Sequence, residues 1–95
     1  MPRRSGPVTA LTLYSRPGCH LCDEMKTVVS RVAETVPLTL QEIDISVDPA
    51  LEARYGWDIP ILMVEGKIAA KHRVAEGELR RILRARTGQA REGGG

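Results

Sequence analysis

Hydrophobic and polar positions alternate with period two from Val8 to Tyr14, with Leu11 and Leu13 on one face and Ala10 and Thr12 on the other. That alternation predicts a first strand. Ser15-Arg16-Pro17-Gly18 interrupts it, and Pro17-Gly18 predicts a turn. From about Cys19 to Val36 the period lengthens. Met25, Val28, Val29, Val32, Ala33 and Val36 recur at three- and four-residue steps, which predicts a helix with one apolar face. Asp23 and Glu24 suit its positive end, and Pro37 stops it. Leu38 to Ile45 reads as a second strand. Its early pair, Leu38 and Leu40, is one residue out of phase with Ile43 and Ile45, which implies either a bulge near Gln41-Glu42 or burial on both faces. Asp48-Pro49 opens a short helix to about Tyr55, with Gly56 as its stop. Ile59 to Val64 is an apolar strand with proline second, and Glu65-Gly66 turns it back into a more polar strand, Lys67 to Arg73. A last helix is predicted over Glu76 to Thr87, burying Leu79, Ile82 and Leu83, with Gly88 as its end.

The element order β-α-β-α-β-β-α is that of an α/β fold. Its first β-α-β unit needs parallel strands joined by a right-handed crossover, and the late hairpin is antiparallel, so a mixed four-stranded sheet with helices on its faces follows. Residues 8–88 form one domain on this reading, residues 1–7 a disordered arm and residues 89–95 a flexible tail. The 95 residues suffice for one thin core, and with no Phe and 3% aromatics that core is aliphatic. A net charge of +2 gives no reason to expect nucleic acid or an acidic membrane as partner, and Arg80, Arg81 and Arg84 fall opposite Leu79, Ile82 and Leu83 as a solvated face. No stretch approaches the ~20 apolar residues of a membrane span. Arg3-Arg4 is followed by no apolar export segment, so the expected location is cytoplasmic.

The only two cysteines, Cys19 and Cys22, bracket His20-Leu21 at the start of the first helix. In a reducing compartment such a pair is redox-active, metal-binding or inert. Positions three apart on a helix lie roughly 5 Å from each other, within the span a disulfide bridges. As a structural clamp the bond would do little, since closing so short a loop removes only about 2 kcal/mol of chain entropy. Zinc would need four protein ligands, and beyond the cysteines only His20 and His72 are obvious nitrogen donors, so no metal is expected. Cys19 at a helix N-terminus ionises more readily than a free thiol, and Arg16 across the turn and His20 beside it are candidate stabilisers of the thiolate. Cys22, one turn in, is placed to resolve a mixed disulfide on Cys19.

Leu13-Tyr14-Ser15-Arg16-Pro17-Gly18-Cys19-His20-Leu21-Cys22 and Asp58-Ile59-Pro60, with the Glu65-Gly66 hairpin, resemble the glutaredoxin-like branch of the thioredoxin superfamily over about residues 8–87. The resemblance implies a thioredoxin fold with sheet order 2-1-3-4, Cys19 as the exposed nucleophile and Cys22 as the more buried resolving thiol. It also implies a cis Pro60 facing the cysteines, with the Ile59 backbone pairing with an extended substrate segment and Asp58 standing where the family has threonine. Trp57 lies beside that groove. Glutaredoxins carry a glycine pair followed by acidic residues ahead of the last helix, which cradles glutathione; here that stretch reads Arg73-Val74-Ala75-Glu76-Gly77-Glu78.

These features lead to a thiol–disulfide oxidoreductase with no bound cofactor. Its substrate is a disulfide-containing protein or small disulfide, and its electron donor is either glutathione or a thioredoxin-reductase-type enzyme. Two rivals use the same residues. One is a binding or redox-sensing adaptor whose groove at Trp57 and Pro60 holds a peptide; the other is an iron–sulfur or zinc carrier using Cys19 with partner ligands.

Overall fold

The structure, a computed structural model, describes residues 8–94, with side chains through residue 86; the N-terminal arm of residues 1–7 lies outside the described residues. Its elements in chain order are β1 (Thr9–Ser15), α1 (His20–Ala33), β2 (Leu38–Asp44), a 3₁₀ turn (Ile45–Val47), α2 (Pro49–Tyr55), β3 (Ile61–Val64), β4 (Lys67–Lys71) and α3 (Glu76–Gly94). The four-stranded sheet runs β2-β1-β3-β4, with β1 parallel to β2 and antiparallel to β3, and β3 antiparallel to β4. This is the expected 2-1-3-4 order.

The alternation in β1 sorts its residues onto the two faces of the sheet. Leu11 and Leu13 join Leu62 and Val64 of β3, Met25, Val29 and Val32 of α1, and Leu79 and Leu83 of α3 in one buried aliphatic cluster. Tyr14 points the other way and stacks on Tyr55 of α2, with ring centroids 4.8 Å apart. Ile43 and Ile61 are the register partners of Tyr14 on either side, so they share that face.

The β1–β2 register is unbroken from Thr9↔Leu38 to Ser15↔Asp44, so β2 carries no bulge. Its phase break is burial on both faces: Leu38 and Leu40 pack on the main cluster, and Ile45 leaves the strand to become fully buried in the 3₁₀ turn. The sheet does have an irregularity elsewhere, between Leu62 and Met63 opposite β4.

The helix ends depart from the sequence reading. α1 stops at Ala33, because Glu34 and Thr35 donate to Arg31 and Val32 and tighten the last turn before Pro37 can act. α3 passes Gly88, its expected end, and runs to Gly94. A glycine inside a helix costs about 1 kcal/mol relative to alanine, which weakens a helix without forbidding it. At the Glu65-Gly66 hairpin both central residues have positive φ, 53° and 83°, the geometry that lets a two-residue loop follow strand twist.

α2 is held at its start by Asp48, whose Oδ1 accepts from the N–H groups of Ala50 at 3.0 Å and Leu51 at 3.4 Å, with Pro49 in the first turn. Asp48→Ala is expected to cost about 1 kcal/mol in a urea titration of the folded protein, the usual loss of an N-cap. A change within error would show that α2 does not depend on this cap.

Candidate active site at the Cys19-His20-Leu21-Cys22 turn

β1 ends at Ser15 on the inner sheet face, and the turn through Gly18, whose φ is +79°, delivers Cys19 to the N-cap of α1. A side chain with a Cβ adopts that left-handed φ at a cost, which accounts for the glycine. Cys19 has extended backbone angles (φ −93°, ψ 109°), and its Sγ accepts the Cys22 N–H at 3.1 Å. The two cysteines are joined as a disulfide, with Cα atoms 5.2 Å apart. Cys19 is half-buried, whereas Cys22 is only 2% exposed.

β3 runs antiparallel to β1 with Ile61 beside Tyr14, so Pro60 lies next to the end of β1 from which the cysteine turn springs. The Ile59–Pro60 peptide bond is cis, and Pro60 is buried. The Pro60 carbonyl accepts the His72 N–H at 2.7 Å, and Asp58 lies 3.6 Å from Lys71 Nζ. β4 and the residue after it thus hold this loop from behind. Trp57, at its start, is 93% exposed.

Arg16 is engaged with α2. Its Nη2 donates to the Glu52 carboxylate of α2 and to the Gly56 carbonyl at 3.3 Å, while its Nε is buried without a hydrogen-bond partner. The guanidinium therefore ties the cysteine turn to α2, and its charge is shared with Glu52. Gly56 is the C-cap of α2 with ordinary helical angles, so its glycine is a matter of space. A Cβ there would lie 2.8 Å from Glu52 Oε2 and 3.2 Å from Arg16 Nη2. His20 is exposed.

Two hollows flank the pair. An apolar one of ≈ 280 Å³ lies between α1 and the segment entering α3, bounded by Leu21, Met25, Val28, His72, Arg73 and Val74. The stretch that lacks the glycine pair forms one wall of it, and the first turn of α3 carries Glu76 and Glu78. The other, ≈ 160 Å³ and polar, reaches Cys22. It exposes three residues to which the sequence reading gave no role. Ser15 Oγ donates to Glu42 Oε2 at 2.7 Å, and Lys26 Nζ lies 3.3 Å from the same oxygen. Their signal was present: Ser15 and Glu42 continue the inward phases of Leu11-Leu13 and Leu38-Leu40, and Lys26 is four residues after Cys22. Nearby, Asp44 accepts from the Ser46 hydroxyl and N–H, which with the Arg16 charge hold its carboxyl below the usual carboxylate range.

Among the described residues no group of three or more His, Cys, Asp or Glu side chains is placed to hold a metal ion, and no helix is long and apolar enough to cross a membrane.

The chain is similar to known proteins. The Glutaredoxin-like domain family (DUF836) matches residues 10–84. The chain is 32% identical over 75 residues to the "Glutaredoxin-like protein YDR286C homolog" of Dictyostelium discoideum, covering 73% of this chain and 69% of that one. Among solved structures it is similar to XcR50 of X. campestris (TM-score 0.69, 32% identity, 79% of this chain and 96% of that chain). It also shares its fold with a mutant thioredoxin of Halobacterium salinarum (TM-score 0.58, 23% identity, 83% of this chain and 74% of that chain). A four-stranded 2-1-3-4 sheet with a Cys-x-x-Cys pair opening its first helix, matched over this length, makes the chain a member of the glutaredoxin-like domain family within the thioredoxin superfamily.

Proposed function

We propose that the protein is a cytoplasmic thiol–disulfide oxidoreductase that carries electrons through Cys19 and Cys22. The observation behind this reading is the position of Cys19 at the α1 N-cap, half-exposed, with Cys22 buried one turn behind it. Unpaired N–H groups and the helix dipole favour a thiolate there by roughly 0.3–2 kcal/mol.

In the reducing direction the Cys19 thiolate attacks one sulfur of a substrate disulfide, and the other sulfur leaves as a thiolate. Cys22 then attacks Cys19 Sγ, the second substrate sulfur leaves, and the protein ends oxidised. Two electrons from a donor restore the dithiol. No bound cofactor takes part. The donor is glutathione or a thioredoxin-reductase-type enzyme, and two features favour the enzyme. The approach to α3 lacks the glycine pair, and Glu76 and Glu78 would repel the carboxylates of glutathione.

The test is turnover of a disulfide substrate with glutathione and its reductase, compared with thioredoxin reductase. Faster turnover with the second is expected. Absence of turnover with both would overturn the oxidoreductase reading and leave a binding module.

Trp57 serves as an apolar contact for protein substrates at the rim of the groove formed with Asp58, Ile59 and Pro60. Trp57→Ala is expected to raise KM for a protein disulfide about five- to tenfold, the scale of one interface anchor, and to leave the rate on a small aromatic disulfide unchanged. An equal loss on both substrates would refute the docking role.

A further inference from the structure

The chain carries a net charge of +2, yet the cations set around the reactive turn are closed in ion pairs. Arg16, three residues before Cys19, pairs with Glu52 of α2. Lys26 lies 3.7 Å from Asp23 and 3.3 Å from Glu42, and Lys71 lies 3.6 Å from Asp58 beside the Pro60 loop. Arg73, on the segment entering α3, makes no ion pair among the described residues, and neither do Glu24 and Glu78. A carboxylate approaching the turn therefore meets paired cations, whereas a cation or a neutral group displaces nothing.

Among these cations Arg16 has the geometry to receive a carboxylate, because a guanidinium is a planar fork of N–H donors. Much of that fork is unused. Nη2 donates both to the Glu52 carboxylate and to the Gly56 carbonyl at 3.3 Å, while Nε has no partner among the described residues. Arg16 and Cys22 wall the same hollow, so the guanidinium and the reactive turn face a common space. Asp44 on that wall is already held by the Ser46 N–H at 2.9 Å and the Ser46 hydroxyl at 2.7 Å. The Arg16 and Glu52 side chains are 38% and 41% exposed. A pair so open to water is weakly held and exchanges partners, so Glu52 competes with an incoming carboxylate rather than shutting it out.

We propose that Glu52 sets the charge preference of the site: by holding Arg16 it disfavours disulfides with carboxylates near the reacting sulfurs, and leaves neutral and cationic disulfides as the substrate class. The inference rests on the oxidoreductase reading above. Glu52 acts through Arg16 and is a specificity-determining residue, not a catalytic one. A substrate carboxylate either displaces Glu52 from Nη2 or stays unpaired beside its negative charge, and both lower its rate relative to a neutral substrate. The chemical step is the same for every substrate. The dithiol loses two electrons as the Cys19–Cys22 bond forms, and the substrate disulfide gains them as it separates into two thiols.

The test is single-turnover oxidation of the reduced full chain, near neutral pH and at low salt, by three small disulfides of different charge. Dithiodipropionate carries two negative charges, hydroxyethyl disulfide none and cystamine two positive. Samples are stopped with acid and N-ethylmaleimide, and the oxidised fraction is read by intact mass. Glu52→Gln keeps the side-chain shape and removes its charge. It is expected to raise the rate with dithiodipropionate, relative to hydroxyethyl disulfide, by roughly three- to tenfold, the scale on which one rim charge alters association. The relative rate with cystamine falls. The gain shrinks to within about twofold at about 1 M salt, where exposed charges are largely screened. Made in an Arg16→Gln background, Glu52→Gln gives no such gain, because no guanidinium is released. An unchanged ratio, an equal change with all three disulfides, a gain independent of salt, or a gain that persists without Arg16 would each overturn the proposal. Oxidation of the unmodified chain by hydroxyethyl disulfide no faster than that of a free peptide thiol would instead overturn the oxidoreductase reading, and the proposal with it.

Discussion

Cys19→Ser is expected to reduce disulfide turnover by roughly 10³-fold or more, the scale on which loss of a nucleophile acts. The hydroxyl that replaces the thiol does not ionise near neutral pH, so the favourable field at the α1 N-cap finds no anion to stabilise. Cys22→Ser behaves differently. Its Cys19 still attacks, but nothing resolves the product, and the protein accumulates as a one-to-one mixed disulfide with its substrate. Mass spectrometry of the intact protein would show a single substrate adduct in Cys22→Ser and none in Cys19→Ser. If Cys19→Ser kept full turnover, or if adducts formed equally in both variants, the assignment of nucleophile and resolving thiol would be wrong.

The second large effect concerns stability. Leu13 is fully buried at the centre of the sheet, opposite Leu62 of β3, in the cluster that includes Met25, Val29 and Leu79. Leu13→Ala removes three methyl or methylene-type carbons from a site walled by strand on two sides and by helices above, which leaves little freedom to collapse around the gap. A cost on the order of 3 kcal/mol is expected. For a domain of this size that lowers the melting temperature by roughly 12–24 °C. The effect is a large fraction of total stability, because a small domain without phenylalanine has few other large side chains to share the load. Thermal unfolding of the oxidised variant measures it. A loss below about 1 kcal/mol would mean that the core repacks more freely than its close contacts suggest.

Much of the fold was legible because local and global signals agree. The period-two run before Ser15, the change of period at Cys19, the Asp48-Pro49 start and the Glu65-Gly66 turn each name an element that the structure contains within a few residues. The cysteine pair was legible for the same reason, since its spacing and its place at a helix start are both local. What escaped depends on distant partners. Arg16 was read from its neighbours in sequence, and its ion pair with Glu52, 36 residues on, was not foreseen. Glu42 looked like the middle of a phase break in β2. Only the unbroken parallel register with β1 shows that it faces inward toward Ser15 and Lys26. The far end of α3 was misread because a glycine signals a stop only when the residues after it cannot carry the helix on.

The place of β1 in the sheet has a mechanical consequence for the reactive turn. β4 is bonded to one neighbour and can fray alone, but β1 has β2 on one side and β3 on the other. Local opening spares a strand tied on both edges longer than one at the margin. Cys19 hangs from the end of this doubly tied strand, while His72, whose N–H is bonded to the Pro60 carbonyl, follows the loosely tied one. Loosening at the margin of the sheet can therefore release the His72 bond to Pro60 without shifting the sulfurs themselves.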